Sequence, residues 1–193
     1  PADFKITCDL GVTIDYISAN LDMSSGITFS PDGTAVAGLA DGRVAFISKT
    51  GSVLKTVRDT ADTEKSVIKR IMFSSDGSIY AMVSHKALCL MDKKDKLIYR
   101  FFNPAIQIID GAVSPDGNFV VIGYESGDLG IFNASGEMIG TVNDRCMPLF
   151  EVCFSHNSRT IIVASGDGKI NFYNTSGNFI RVIHSDPAEI GDI

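Results

Sequence analysis

The sequence predicts an all-β chain built from four copies of one unit, and three observations carry that expectation. The stretch "FSPDG" at Phe29–Gly33 returns as "FSSDG" at Phe73–Gly77, "VSPDG" at Val113–Gly117 and "FSHNS" at Phe154–Ser158. The serines of these stretches, Ser30, Ser74, Ser114 and Ser155, stand 44, 40 and 41 positions apart. A period near 40 residues marks a repeated supersecondary unit. Between the turns lie short apolar runs, none long and periodic enough for a helix.

Each copy resolves into four strands. The first is "GITF", "RIMF", "DGAV" or "EVCF", ending on the repeated turn. The second is rich in small and branched residues: "TAVAGLA", "SIYAMVS", "NFVVIGY", "TIIVASG". A polar break ("DGR", "HK", "ESGD", "DGK") leads to the third, "VAFIS", "ALCLMD", "LGIFN" or "INFYN". A further turn gives the fourth, "SVLKTV", "KLIYRF", "EMIGTV" or "NFIRVI".

The repeated turn is a folding device. Pro31 and Pro115 set φ for the second position of a type I turn, Asp32 and Asp116 tolerate the third, and Gly33 and Gly117 accept the left-handed closing geometry. Ser30 is placed to bond backbone amides inside the turn. In the fourth copy His156, Asn157 and Ser158 take these places, and Asn157 is the residue expected to accept positive φ.

A four-stranded meander cannot cover both of its faces alone. Stacking copies radially about an axis covers the faces and leaves only short edges. The expected architecture is therefore a β-propeller of four-stranded antiparallel blades, at about 26–58, 67–102, 108–143 and 149–184. Residues 1–22 are expected to add one or two strands, and 185–193 to begin a further blade, within one domain or propeller portion spanning 1–193.

Segments such as "FSPDGTAVAGLADGRVAFIS" and "VSPDGNFVVIGYESGDLGIFN" resemble WD-repeat blades over about residues 26–183. The family's Trp-Asp pair falls on Ile47-Ser48, Met91-Asp92, Phe132-Asn133 and Tyr173-Asn174, and the chain has no Trp. The Asp of the family's polar tetrad matches Asp41 and Asp167; His85 and Lys86 replace it in the second copy, and it is shifted to Asp128 in the third. The structural hydrogen-bond network of that family is thus expected to be missing. Other propellers, quinoprotein-like ones among them, share the same kind of turn. Three arrangements fit the copy number: a portion of a larger propeller, a ring completed by self- or hetero-association, or a compact four-bladed ring closed by both ends.

Composition narrows the function classes. The net charge is −6, with 17 Lys and Arg against 23 Asp and Glu, and positive charge gathers only at Lys93–Lys96. A phosphate backbone rewards clustered positive charge, so nucleic acid is not an expected partner. No apolar run approaches the roughly 18 residues of a membrane span, and no membrane role is expected. Cys8, Cys89, Cys146 and Cys153 form no CxxC pair, which points to buried free thiols and a cytoplasmic setting rather than a zinc site.

No nucleophile elbow, zinc-protease or phosphate-loop motif is present, and His85, His156 and His184 each fall in a predicted loop. "SGDG" at Ser165–Gly168 reads as a hairpin, and "DKKDK" at Asp92–Lys96 as a solvated turn of mixed charge. Neither catalytic residues nor cofactors are expected. One end of a propeller carries the links between blades and the second-to-third-strand turns, and here that end holds a net −4 of the chain's −6. The candidate partner-binding residues are Asp41, Arg43, His85, Lys86, Glu125, Asp128, Asp167, Asp186 and Glu189. They suggest a non-catalytic protein-interaction scaffold whose acidic end meets a basic segment of another protein. The alternative is a small-molecule hydrolase or lactonase, with Asp41, Glu125, Asp128 and Asp167 converging on a divalent metal at the axial mouth.

Overall fold

The computed structural model describes residues 6–7, 13–14, 23–59, 66–143 and 148–184. Two short strands, β1 (Ile6–Thr7) and β2 (Thr13–Ile14), pair antiparallel within the segment expected to hold extra strands. Four four-stranded antiparallel sheets follow, each in chain order. The first contains β3 (Met23–Phe29), β4 (Ala35–Leu39), β5 (Arg43–Ile47) and β6 (Val53–Arg58). The second contains β7 (Ile68–Phe73), β8 (Ile79–Ser84), β9 (Ala87–Asp92) and β10 (Leu97–Phe102). The third runs β11 (Ile108–Val113), β12 (Phe119–Tyr124), β13 (Leu129–Asn133) and β14 (Met138–Val142). The fourth runs β15 (Leu149–Phe154), β16 (Thr160–Ser165), β17 (Lys169–Asn174) and β18 (Phe179–His184).

Successive sheets stack face to face, with their first strands innermost: β3 packs on β7, β7 on β11 and β11 on β15. The interfaces are apolar. Phe46, Tyr80 and Met82 fill the first, Val83, Leu90 and Ile122 the second, and Val121, Ile131 and Val163 the third. Outer strands carry exposed apolar residues, among them Leu54, Met138 and Phe179. The four positions matched to the family's Trp, Ile47, Met91, Phe132 and Tyr173, are all buried. Their neighbours cap the third-to-fourth-strand turns instead of serving a polar network. The Oδ1 atoms of Asp92, Asn133 and Asn174 each accept two backbone N–H bonds within the turn.

The far face of the fourth sheet is less sealed than that of the third. Ile162, Ile170 and Phe172 are half-buried there, whereas Val121, Leu129 and Ile131 at the same places in the third sheet are sealed. Arg181 lies 4.4 Å over the Phe172 ring and shields part of that face. Of the four cysteines, Cys89 is buried and Cys153 half-buried, both as free thiols, while Cys8 and Cys146 lie outside the described residues.

All four repeated turns close in the same way. The amides of Gly33, Gly77, Gly117 and Ser158 bond back to the carbonyls of Ser30, Ser74, Ser114 and Ser155. In the fourth copy the positive φ belongs to Ser158, at 61°, and not to Asn157 as expected. Asn157 keeps the role of the aspartates, since its Oδ1 accepts from Ser155 Oγ at 2.7 Å and from the Arg159 amide at 3.2 Å. Ser158 holds the strained geometry because its Oγ accepts the Asp116 amide of the neighbouring sheet at 3.0 Å.

The first turn is one residue shorter than the others. Ser30 N–H reaches Thr34 O, whereas Ser74, Ser114 and Ser155 reach Ile79, Phe119 and Thr160. The shorter turn leaves the pairing register unchanged: Ala35 faces Phe29 as Tyr80 faces Phe73, and Val36 joins Phe46 on the face toward the second sheet as Ala81 joins Leu90 in the next copy.

The turn carboxylates make a pH prediction. The Ser30 hydroxyl, then the Thr34 amide, hold Asp32 below the usual carboxylate range. The Ser78 amide, then the Ser74 hydroxyl, hold Asp76 at about 2. A depressed folded-state pKa contributes stability above the unfolded value of 3.8, and that stability is lost as pH falls through the folded value. Between these limits the urea midpoint is expected to fall. Replacing Asp32, Asp76 and Asp116 by Asn, as Asn157 already stands, should flatten that fall, and an unchanged pH slope would refute the account.

Candidate functional site

The end bearing the blade links and second-to-third-strand turns holds an open depression of about 470 Å³ between the second and third sheets. Three predicted residues meet there, His85, Lys86 and Glu125, around the link from Pro104 to Gln107. The backbone fixes them. Ile108 N–H donates to His85 O at 2.7 Å, Asn103 N–H to Lys86 O at 3.1 Å, and Glu125 N–H to Gln107 O at 2.9 Å. The Asn103 side chain accepts the Ala105 amide at 2.9 Å and holds the link's bend. The link is thus pinned to a turn of each sheet, which makes this rim a rigid seam. Burial, then the nearby Lys69 charge, lowers the His85 pKa below its ordinary value.

The other predicted residues stay apart. Arg43 Nε donates to Asp41 at 2.6 Å, and Lys169 Nζ to Asp167 at 2.5 Å, so each pair neutralises itself inside its own turn. Asp128 Oδ2 accepts from Ser126 Oγ at 2.8 Å. The convergence of Asp41, Glu125, Asp128 and Asp167 that the alternative hydrolase reading requires is therefore not found among the described residues. Short turns offer each of Asp41, Asp128 and Asp167 a partner two residues away, nearer than any other blade can come. Among the described residues no group of three or more His, Cys, Asp or Glu is placed to hold a metal ion. Asp186 and Glu189 lie outside the described residues.

A charged cluster that sequence reasoning missed lies on the innermost strands. Arg70 Nη1 donates to Asp110 at 2.7 Å and Nη2 to Glu151 at 2.7 Å, joining the second, third and fourth sheets. Asp110 Oδ2 also accepts the Val152 amide at 2.9 Å. Each of the three follows a register shift in its strand, at Ile68/Arg70, Ile108/Asp110 and Leu149/Glu151. Such bulges re-aim side chains. Burial pushes the Asp110 carboxyl above its ordinary range, with Arg70 opposing. The signal was present in the sequence: these residues are the first letters of "RIMF", "DGAV" and "EVCF", one charged column in an apolar strand.

Nucleophilic chemistry finds no support at Cys89, whose thiol is pushed up to about 12 by burial and the Asp59 charge.

Residues 137–174 match the family model "WD domain, G-beta repeat". The chain has the fold of a β-propeller, and this one segment of it matches a WD repeat. The matched segment takes the outer strand of the third blade with the three inner strands of the fourth, so the family's sequence unit is offset by one strand from the structural blade. In fold, the propeller is similar to a chain in the crystal structure of a mitotic checkpoint complex, with a TM-score of 0.74 at 17% identity. The match covers 92% of this propeller and 56% of that chain, so the sequence spans little more than half its neighbour's length. No curated protein sequence matches it.

Proposed function

We propose that this propeller is a non-catalytic protein-interaction scaffold whose link-bearing end binds a basic segment of a partner. The observation that carries the reading is the pinned depression, where a rigid backbone holds Glu125 opposite Lys86 and His85. Binding sites favour such loops on a fixed frame, because little ordering entropy is then lost on association. Glu125 with Asp128 supplies the acceptors for a cationic segment, and Lys86 sets its register by repelling misplaced charge. The fold neighbour comes from a mitotic checkpoint complex, which agrees with a role among protein partners. A location in the cytoplasm goes with this reading.

The test is titration of the whole chain with a lysine-rich decapeptide. Glu125→Lys combined with Asp128→Lys is expected to weaken binding about tenfold at low salt, and the difference should shrink near 0.5 M salt. Unchanged affinity at low salt would remove the electrostatic basis of the proposal.

A further inference from the structure

At the opposite end, where the repeated turns lie, the three crevices between sheets are built differently. Lys55, Tyr99 and Gly140 are equivalent, each paired with the same third-strand position: Phe46, Leu90 and Ile131. Across each crevice stands a positive-φ residue of the next sheet's third-to-fourth-strand turn: Asp95, Gly136 and Gly177. In the second crevice the Tyr99 ring fills the space so closely that a Cβ on Gly136 would run into it. In the third, Gly140 and Gly177 let the two backbones meet, and a Cβ on Gly177 would lie 2.9 Å from Thr141 O. The first crevice is closed by neither device and leaves a cavity of about 400 Å³.

That cavity has an aromatic floor. Phe73 and Tyr80 stack at 5.3 Å between centroids, and Phe46 stands edge-on to Tyr80 at 5.8 Å. The rim carries Asp32, Asp76 and Asp95 against Lys55 and Lys93. Lys55 Nζ sits 4.2 Å over the Phe46 ring and 2.6 Å from Asp95, while Tyr80 donates to Asp95 at 2.9 Å. The turn at Asp92–Lys96 is thus not wholly solvated: Asp95 faces inward and holds φ at 64°, where its counterparts are glycine. Lys55 shows what the place accepts, a cation between an aromatic face and a carboxylate. Three carboxylates to two ammonium groups leave room for another cation. A guanidinium suits it better than an ammonium, being planar, weakly hydrated and able to stack while bonding two carboxylates.

We propose that this crevice is a docking site for an arginine side chain presented by a peptide segment of a partner protein. Asp95 and Asp76 accept its N–H groups, Phe46 and Phe73 supply the stacking surface, and Lys55 occupies the seat in the free protein. The site lies at the end away from Glu125 and does not depend on the function proposed for that end.

The whole chain is to be titrated, by amide chemical shifts, with the blocked peptide Ala-Arg-Ala and with its uncharged citrulline counterpart. Shifts are expected at Gly77 and Asp95, with the citrulline peptide binding at least about fivefold more weakly. Asp95→Asn keeps an acceptor for Tyr80 and tolerates positive φ, so it should fold normally yet bind about fivefold more weakly. Lys55→Ala, on an exposed outer strand, should vacate the seat and tighten binding about fivefold. Equal binding of the two peptides, an unaffected Asp95→Asn, or weaker binding by Lys55→Ala would each overturn the proposal. The absence of shifts at Gly77 and Asp95 would do so too, and so would free arginine binding more tightly than the peptide.

Discussion

Asp110→Leu is expected to destabilise the propeller by about 3 kcal/mol, because it strands a buried amide and removes one of Arg70's two acceptors. The Asp110 side chain is 7% exposed, and its Oδ2 serves both Arg70 and the Val152 amide. For a chain of this size the loss corresponds to a fall in Tm of roughly 6–12 °C. Asp110→Asn keeps an acceptor for Val152 and gives up only the charge, so its cost should be about half. Urea unfolding of the two variants checks the order, and a cost under about 0.5 kcal/mol for the leucine variant would reduce the cluster to an ordinary surface ion pair. The pH dependence has the opposite sign to that of the turn aspartates. The folded-state pKa of Asp110 is raised, so protonation favours the folded chain as pH falls through that value toward 3.8. Removing Asp110 should therefore make the acid loss of stability steeper in that window.

Gly136→Ala should cost about 2–4 kcal/mol, the sum of a left-handed backbone denied to side chains and an overfilled crevice. Gly136 has φ 84°, and the added methyl would enter the Tyr99 ring. The two contributions separate in a double-mutant cycle. In a Tyr99→Ala background only the backbone part should remain, about 1 kcal/mol. Equal costs in the two backgrounds would show that Tyr99 does not fill the crevice against Gly136. The same experiment bears on the first crevice, where Lys55 and Asp95 replace this pair and the cavity stays open.

Much of the fold was legible because its signals are local. Ser30 and Asp32, or Ser74 and Asp76, are two positions apart and bond within one turn. Gly33, Gly77 and Gly117 take positive φ for reasons contained in that turn. The short strands between the turns, too thin to bury both faces, then leave radial stacking as the arrangement that covers them. Local preference also misleads at one turn. Asn157 was expected to adopt positive φ by residue preference alone, but the neighbouring sheet's Asp116 amide stabilises Ser158 there instead. The alternative's axial gathering of Asp41 and Asp167 needs free carboxylates, while Arg43 and Lys169 stand within reach two positions away.

The repeating unit, its turns and the alternation of its strands follow from residue order alone, since each depends on contacts spanning a few residues. Which charged residues meet is set by how the sheets pack on one another. Arg70 and Glu151 are 81 positions apart, and Lys55 and Asp95 are 40 apart. Whether such pairs touch depends on blade rotation, on the bulge that aims each inner strand and on which crevice holds a tyrosine or a glycine. No local propensity encodes those choices, because they are settled by how neighbouring sheets fill the volume between them.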